Sequence, residues 1–306
     1  MDWRKLAHWL NQEDIGEWQA EAPLSAHTSW KIGGPARLVC KPGGEAQCRA
    51  LLAYCSREGF PVRFLGLGTN LLVSDAGVEA LVLHTGGLQQ IRWETDGPDR
   101  AVVEAGAGLP LANLSAGAAE LGYQGLAFAI GIPGSFGGAL VMNAGANGAQ
   151  ISDDLLSVRT MDRQGQIRTW AKEELNYGYR SSDLRAADLL VLSGKLRLSR
   201  GDREKTQALM SEYLTARRRK QPLDLPNAGS VFRNPEGAQA GLLIDQAGLK
   251  GLQTGMAMIS PHHANFIVNL GGAKAGDVRA LMETAQSEVR SRFGFELESE
   301  IVYWDS

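Results

Sequence analysis

The 306-residue chain contains 44% hydrophobic and 21% charged residues, which is typical of a soluble globular protein with two domains or three subdomains. Its net charge of −3 provides no overall attraction to nucleic acid or anionic lipid. The three cysteines, Cys40, Cys48 and Cys55, include no Cys-x-x-Cys pair. A disulfide framework or a metal site is therefore not expected. This pattern is typical of a protein of the reducing cytoplasm.

The first 200 residues alternate between predicted helices and strands. Hydrophobic periodicity predicts helices over 2–12, 44–59 and 110–121, strands over 63–65, 81–83, 101–104 and 189–198, and a hairpin of 155–160 with 167–170. Pro110 suits the first turn of its helix, where no N–H is needed. Cys48 and Cys55 lie seven residues apart on a predicted helix, so buried thiols are expected.

The last 106 residues begin with a strongly predicted helix over 202–220, with Leu209, Tyr213 and Leu214 on its apolar face. Prolines then interrupt the pattern, and a domain boundary is expected near residue 200. The remaining elements are predicted as a helix over 240–248, strands over 256–260 and 265–270, a helix over 277–293 and a strand over 296–304. Asp277 is the expected N-cap of the long helix, whose buried stripe would contain Val278, Leu281, Met282, Ala285 and Val289.

Two glycine-rich segments without lysine or arginine are the most informative features of the sequence. No charged residue lies between Glu120 and Asp153, and glycines crowd Gly131–Gly148; a second such segment is Gly66–Gly77. This density is unfavourable in a helix or strand interior, because each glycine costs roughly 0.5–1 kcal/mol relative to alanine. Bare N–H groups in such loops can surround a phosphate. Either loop alone could be a tight turn, but together they indicate a large nucleotide held by backbone.

Known phosphate motifs do not explain these loops. Neither is followed by Gly-Lys-Ser/Thr, and Gly66-Leu-Gly-Thr-Asn-Leu lacks the third glycine of a Rossmann fingerprint. The one basic run, 217–220, ends a predicted helix. It is explained equally well by interaction with the helix C-terminus or by contact with a ligand phosphate.

Further motifs carry a resemblance that covers essentially the whole chain. His27–Ala36, Tyr177–Ser182, Ala228–Pro235 and Leu297–Ile301 accompany the two glycine loops in order. The chain thereby resembles the MurB family, the UDP-N-acetylenolpyruvoylglucosamine reductases of peptidoglycan precursor synthesis, and hence of cell-wall growth and division. Only one strand separates Arg180 from the helix over 202–220, so the chain is similar to the shorter, second type of this family, without a lid-loop insertion.

The resemblance implies an α+β fold with a vanillyl-alcohol oxidase-type (PCMH-type) FAD-binding region and a C-terminal substrate domain. The expected FAD-binding region is 1–200, in α+β subdomains of about 1–85 and 86–200, and the substrate domain is 201–306. It also implies NADPH as co-substrate, a UDP-sugar enolpyruvyl ether as substrate, and a cytoplasmic monomer without nucleic-acid or membrane partners.

The cofactor residues follow from the two loops by the same resemblance. Those expected to line FAD are Gly66, Gly68, Thr69, Asn70, Ser74, Gly131, Pro133, Gly134, Ser135, Gly138, Asn143 and Gly145. Some relatives in the wider superfamily tether flavin through histidine or cysteine. Neither residue occurs in these loops, so non-covalent FAD is expected.

Three residues carry the implied chemistry. Reduction of the enol ether places a hydride on the methylene carbon and a proton on its neighbour, and the developing charge spreads into the carboxylate. By resemblance Arg180 is the cation at this carboxylate, Ser230 is the proton donor, and Glu300 stabilises the enol-like intermediate. Taken singly, they would be a surface ion-pair partner, a turn hydroxyl and a solvated carboxylate. The expected substrate contacts are Tyr179, Lys220, Asn234 and His263, with Arg219 and Lys220 near the diphosphate.

Two other classes of function are consistent with nucleotide-binding loops. One is an oxidase of the same flavoprotein superfamily, and the other is a catalytically silent nucleotide-binding module. The joint presence of Arg180, Ser230 and Glu300 favours the reductase, because a silent module needs none of them and an oxidase does not require this serine.

Overall fold

The computed structural model describes residues 1–305. Its seven α-helices in this range are α1 (Trp3–Gln12), α2 (Glu45–Glu58), α3 (Leu111–Glu120), α4 (Phe136–Met142), α5 (Arg203–Lys220), α6 (Ala240–Gln246) and α7 (Ala275–Phe293). The strands are β1 (Gly16–Pro23), β2 (Pro35–Pro42), β3 (Val62–Leu65), β4 (Leu71–Val73), β5 (Val78–His84), β6 (Ile91–Thr95), β7 (Arg100–Gly106), β8 (Gly145–Ala146), β9 (Ala149–Gln150), β10 (Leu155–Met161), β11 (Ile167–Ala171), β12 (Leu190–Ser199), β13 (Gln253–Thr254), β14 (Ala257–Ile259), β15 (Ile267–Asn269) and β16 (Val302–Trp304). None of these helices is both long enough and apolar enough to cross a bilayer.

Two compact units are formed, and each is discontinuous in sequence. The first unit contains Met1–Ala20, Arg37–Leu67 and Ala80–Thr215. The second unit contains Glu21–Ala36, Gly68–Glu79 and the chain from Ala216 onward. The first glycine loop is therefore divided between the two units after Leu67.

The first unit is built on two sheets. Five strands in the order β11-β10-β12-β7-β6 form an antiparallel sheet, and α3 and α4 pack against it around the fully buried Phe136. Burial of such a side chain contributes roughly 1.5–3 kcal/mol. The other sheet has the order β1-β2-β5-β3, and its hydrophobic cluster includes Leu6, Leu51 and Cys55. Cys40, Cys48 and Cys55 are buried with free thiols, and the expected burial of Cys48 and Cys55 is confirmed.

In the second unit, α7 packs against the small sheet β13-β14-β15, and α6 packs against α7. The predicted stripe of α7 is confirmed at Val278, Leu281, Ala285 and Val289, while Met282 is half-buried. Strand β16 pairs in parallel with β4, with Val302 opposite Leu71. This pairing attaches the end of the chain to the first glycine loop.

Several local predictions were wrong, each for a physical reason. The second glycine loop contains a helix, α4, because Ser135 caps it and the glycines permit close packing. Helix α7 begins at Ala275, and Asp277 serves in its first turn, where its carboxylate accepts from the N–H of Lys274 (3.0 Å). Helix α5 buries Thr206 and Met210, while Leu209 remains 38% exposed, so its buried face is one residue away from the predicted one.

Candidate active site

The second glycine loop is a closely packed turn and helix. In the first turn of α4, the N–H groups of Phe136 and Gly137 donate to Leu109 O and Ala107 O (both 2.8 Å). The N–H of Gly138 donates to the Ser135 hydroxyl (3.2 Å). A Cβ on Gly137 would lie 2.7 Å from the Ala107 side chain. Glycine here serves close approach of backbone to backbone, and these three N–H groups are already bonded within the protein.

The two glycine loops meet within the first unit at Gly66 and Ser135. A Cβ on Gly66 would lie 2.4 Å from the Ser135 hydroxyl oxygen, well inside contact distance. Ser135 is only 3% exposed and its hydroxyl is the N-cap acceptor of α4. A side chain at position 66 would therefore clash with the Ser135 hydroxyl in its capping position. The preceding Gly134 has φ 140°, a conformation available to glycine.

Asn143 attaches the Tyr-Arg motif to the second glycine loop. It ends α4 in the left-handed conformation and is completely buried. Its amide nitrogen donates to Gly178 O (2.8 Å) and to the Gln150 side chain (2.9 Å), and its Oδ1 accepts from the N–H of Ser152 (3.3 Å). All three of these side-chain hydrogen bonds of Asn143 are made to other protein groups. The neighbouring sequence did not predict this structural role.

Arg180 lies in the turn that Asn143 holds. Its φ of 54° is uncommon for a residue with a side chain, and such strain concentrates at functional sites. Its guanidinium donates to Gly145 O (2.7 Å) and lies 5.3 Å from the ring centre of Tyr179, which is 55% exposed. The first unit therefore brings together Tyr179, Arg180, Asn143 and Gly145. Gly131 and Pro133 lie on the approach to α4, before Gly134.

The first glycine loop continues in the second unit at Gly68, which packs against the His27 segment. Gly68 is buried with φ 62°, and a Cβ there would lie 2.0 Å from His27 O. Its carbonyl accepts from the N–H of Ser29 (3.1 Å). Within residues 1–305, the N–H groups of Gly68 and Asn70 donate to no other protein group. The loop thus presents free backbone donors next to the half-buried Thr69.

Asn70 connects this loop to Glu300. Its side-chain amide donates to Glu300 O (3.0 Å), and its own carbonyl accepts from the N–H of Val302 (3.0 Å). Ser74, at the far end of the loop, is buried and accepts from the N–H of Ala76 (3.3 Å). The sequence motif that contains Glu300 therefore forms one wall of the first glycine loop.

The Ser230 and Glu300 segments are also paired with each other. The N–H of Glu300 donates to Val231 O (2.9 Å), and Phe232 and Ser299 form an antiparallel bridge. Ser230 and Glu300 are both half-buried. Gly229, before Ser230, has φ 79°, and its N–H is held by the Asn227 side chain (2.9 Å).

The predicted substrate residues Asn234 and His263 both lie at the start of α6. The Asn234 side chain accepts from the N–H of Ala240 (3.0 Å), and a Cβ on Gly241 would lie 3.0 Å from the His263 ring. Burial, followed by the nearby Lys250 and His262 side chains, lowers the pKa of His263 below its usual value. The neutral ring accepts from the N–H of Asn265 at Nδ1 (3.2 Å). Lys220 ends α5 at an exposed position.

The comparisons with known proteins agree over nearly the full length. A family model described as UDP-N-acetylenolpyruvoylglucosamine reductase, C-terminal domain, matches residues 221–304, and one described as FAD binding domain matches residues 36–171. The UDP-N-acetylenolpyruvoylglucosamine reductase of Heliobacterium modesticaldum is 44% identical over 293 residues, which cover 95% of this chain and 92% of that relative.

Two further relatives extend the match. The enzyme of the same description from Synechococcus sp. strain JA-3-3Ab is 42% identical over 287 residues, covering 94% of this chain and 91% of the relative. A crystal structure of MurB from Thermus caldophilus aligns with a TM-score of 0.79 at 36% identity, covering 94% of this chain and 98% of that chain. The α+β fold and the presence of an FAD-binding region, both expected from the sequence, are confirmed, and the chain belongs to the UDP-N-acetylenolpyruvoylglucosamine reductase (MurB) family of flavoprotein oxidoreductases.

Proposed function

We propose that this chain uses NADPH to reduce the enolpyruvyl ether of UDP-N-acetylglucosamine-enolpyruvate to UDP-N-acetylmuramate, a step of peptidoglycan precursor synthesis. The observation that carries the proposal is the hydrogen bond from Glu300 N–H to Val231 O (2.9 Å), which pairs the segment of the predicted proton donor Ser230 with that of Glu300. The φ of 54° at Arg180 and its hydrogen bond to Gly145 O support the predicted functional role of that residue.

FAD fits the residues that are present. The first loop is uncharged as far as Ser74, and the unbonded N–H groups of Gly68 and Asn70 suit the oxygens of a diphosphate. When bound, FAD supplies hydride-transfer chemistry. In the second loop, the first N–H groups of α4 already donate to protein oxygens. Ser135 and Gly138 are therefore proposed to shape the loop around the cofactor rather than to donate backbone hydrogen bonds to it. The other proposed cofactor residues are Gly66, Thr69, Ser74, Gly131, Pro133, Gly134, Asn143 and Gly145.

The proposed roles of the protein groups follow from charge development. The Arg180 guanidinium holds the substrate carboxylate with its planar donor pair, which stabilises the negative charge that spreads into it. The Ser230 hydroxyl donates a proton to the carbon next to the carboxylate. Glu300 stabilises the enol-like intermediate as a protonated or hydrogen-bonded carboxyl. Tyr179, Asn234, His263 and Lys220 are proposed to bind the sugar nucleotide.

The proposed domains and setting are those of the resemblance: an FAD-binding region to about residue 200, then a substrate domain, in a cytoplasmic monomer. In the compact units, 21–36 and 68–79 group with the C-terminal segment, so the two descriptions divide the chain differently.

An NADPH oxidation assay with and without the UDP-enolpyruvyl sugar tests the function. The expected result is NADPH consumption that depends on the sugar, with UDP-N-acetylmuramate formed in equal amount. Oxygen-dependent NADPH consumption with no effect of the sugar would instead identify an oxidase. A colourless protein without turnover would contradict both readings.

A further inference from the structure

Asn265 is a buried residue to which the sequence analysis gave no role. It makes hydrogen bonds to the segment that contains Ser230. It is 4% exposed. Its side-chain oxygen accepts from the N–H of Phe232 (3.0 Å), and its side-chain nitrogen donates to Phe232 O (2.8 Å). Its own carbonyl accepts from the N–H of Val231 (2.8 Å). Three hydrogen bonds from one residue thus hold the two residues that directly follow Ser230.

Val231 is thereby fixed on both sides. Its N–H is bonded to Asn265 and its carbonyl accepts from Glu300 N (2.9 Å). On the other side of Ser230, a Cβ on Gly229 would meet no atom within 4 Å, and the N–H of Gly229 donates to the Asn227 side chain (2.9 Å). The direction of the Ser230 side chain therefore depends on the hydrogen bonds that Asn265 makes after it, because the residue before it is glycine, which has the widest choice of backbone conformations.

Asn265 also connects this segment to His263, since its N–H donates to the ring Nδ1 (3.2 Å). A continuous path of hydrogen bonds thus runs from His263 through Asn265 to the peptide after Ser230. Asparagine suits this position because its side chain offers an acceptor to the N–H and a donor to the carbonyl of one residue, Phe232. No other residue of that size and charge does so.

We propose that Asn265 is a positioning residue, which aims the Ser230 hydroxyl by clamping Val231 and Phe232. This rests on the proposed role of Ser230 as the proton donor. Misplacing a reacting group by about 1 Å can cost on the order of 100-fold in rate. Loss of these hydrogen bonds is therefore expected to slow the half-reaction in which Ser230 donates its proton, and to leave the other half-reaction nearly unchanged.

Asn265→Asp in the flavin-loaded enzyme is the first test. The ionised carboxylate keeps the acceptor for Phe232 N–H but presents charge to Phe232 O, whereas the protonated acid restores an O–H donor. Flavin reoxidation by the UDP-enolpyruvyl sugar, followed by stopped-flow absorbance, is expected to slow at least about 10-fold at pH 8 and to recover as the pH is lowered. Reduction by NADPH is expected to stay near the wild-type rate.

Asn269→Asp is the matched control. Asn269 is also 4% exposed and uses its side chain on Trp30 O and on the N–H groups of Gly271 and Ala273, none of them next to Ser230. It is expected to lower the thermal midpoint as much as Asn265→Asp does, without a selective loss in reoxidation. An equal kinetic loss in both variants, or no pH recovery in Asn265→Asp, would overturn the inference.

A double-mutant cycle separates this inference from the proposed function. In a Ser230→Ala background, Asn265→Asp is expected to change the reoxidation rate by no more than about twofold, because its effect passes through the missing hydroxyl. If Ser230→Ala alone reoxidises normally, the proposed role of Ser230 fails and the inference fails with it. If Ser230→Ala is slow and Asn265→Asp multiplies that defect fully, only the inference fails.

Discussion

Gly66 and Ser135 are in van der Waals contact, and a methyl group on Gly66 would lie 2.4 Å from the hydroxyl that caps α4. Gly66→Ala should force this hydroxyl to rotate and lose its bond to Gly138 N–H, at a cost of about 1 kcal/mol in the free energy of unfolding. After Ser135→Ala, the nearest contact becomes the remaining Cβ at 3.4 Å, which is ordinary. Urea denaturation of the two single variants and the double variant measures the coupling.

The control for this cycle is Gly117→Ala, inside α3, where a Cβ meets no atom within 4 Å. It should raise stability by roughly 0.5–1 kcal/mol, because alanine favours a helix. Fully additive effects of Gly66→Ala and Ser135→Ala would show that the contact between the two loops does not restrict position 66.

Substitution of Asn143 should lower the free energy of unfolding much more than substitution of the nearby Asn147. Asn143→Gly keeps the left-handed backbone but removes three side-chain hydrogen bonds, which should lower the free energy of unfolding by about 2–4 kcal/mol. Asn143→Ala should cost about 1 kcal/mol more because of its φ of 46°. Asn147→Gly, at an exposed position with φ 54°, is the control and should be nearly neutral. Chemical denaturation measures these free energies of unfolding. An unchanged stability in Asn143→Gly would contradict a stabilising hydrogen bond from Asn143 to Gly178 O.

His263 should make stability depend on pH below neutrality. Its folded pKa is lowered by burial below the ordinary value of 6.5. The unfolded chain therefore binds a proton that the folded chain does not, so this stability is complete above about pH 6.5 and falls as the pH drops through the folded pKa. His263→Asn retains an acceptor for Asn265 N–H but does not titrate.

The free energy of unfolding, measured from pH 8 to pH 5, should fall less steeply with decreasing pH in His263→Asn than in the wild type. His8→Asn, at an exposed position of α1, controls for removing an imidazole. His27 also has a pKa lowered by burial, so part of the slope should remain. Identical slopes for His263→Asn and the wild type would exclude a buried neutral ring at position 263.

FAD should be bound tightly but without a covalent bond. The glycine loops contain no histidine or cysteine, and burial raises the pKa of Cys40, Cys48 and Cys55 to about 12, which keeps these thiols protonated and unreactive. Heat or acid denaturation followed by filtration should release all yellow colour into the filtrate. Flavin remaining on the precipitated chain would disprove non-covalent binding.

Ser230→Ala should affect only the second half-reaction. A positioned acid typically contributes roughly 10²–10⁴-fold in rate, so turnover and flavin reoxidation should fall by about that factor. Bleaching of the flavin by NADPH should stay near the wild-type rate, and the thermal midpoint and FAD content should remain similar because the side chain is small and half-buried. Equal slowing of both half-reactions in stopped-flow measurements would point to a binding or structural role instead.

The sequence by itself determined the elements that depend on neighbouring residues. Helix α2 ends where Gly59 adopts φ 77°, and the stripe of α7 follows helical spacing. The hairpin of β10 and β11 was predicted from alternation around a turn, and its strands pair as expected. The motifs in order were sufficient to identify the family, because each is a short stretch that chemistry constrains locally.

Only the tertiary structure decided which of these stretches touch. Asn70 reaches Glu300 across 230 positions, and Asn265 holds Phe232 across 33. No local periodicity encodes such pairs, because a side-chain amide finds its partner only after the chain has closed around it. The glycine-rich helix α4 was missed for the same reason: the close packing of Gly137 on Ala107 and the Ser135 cap offset an unfavourable local propensity.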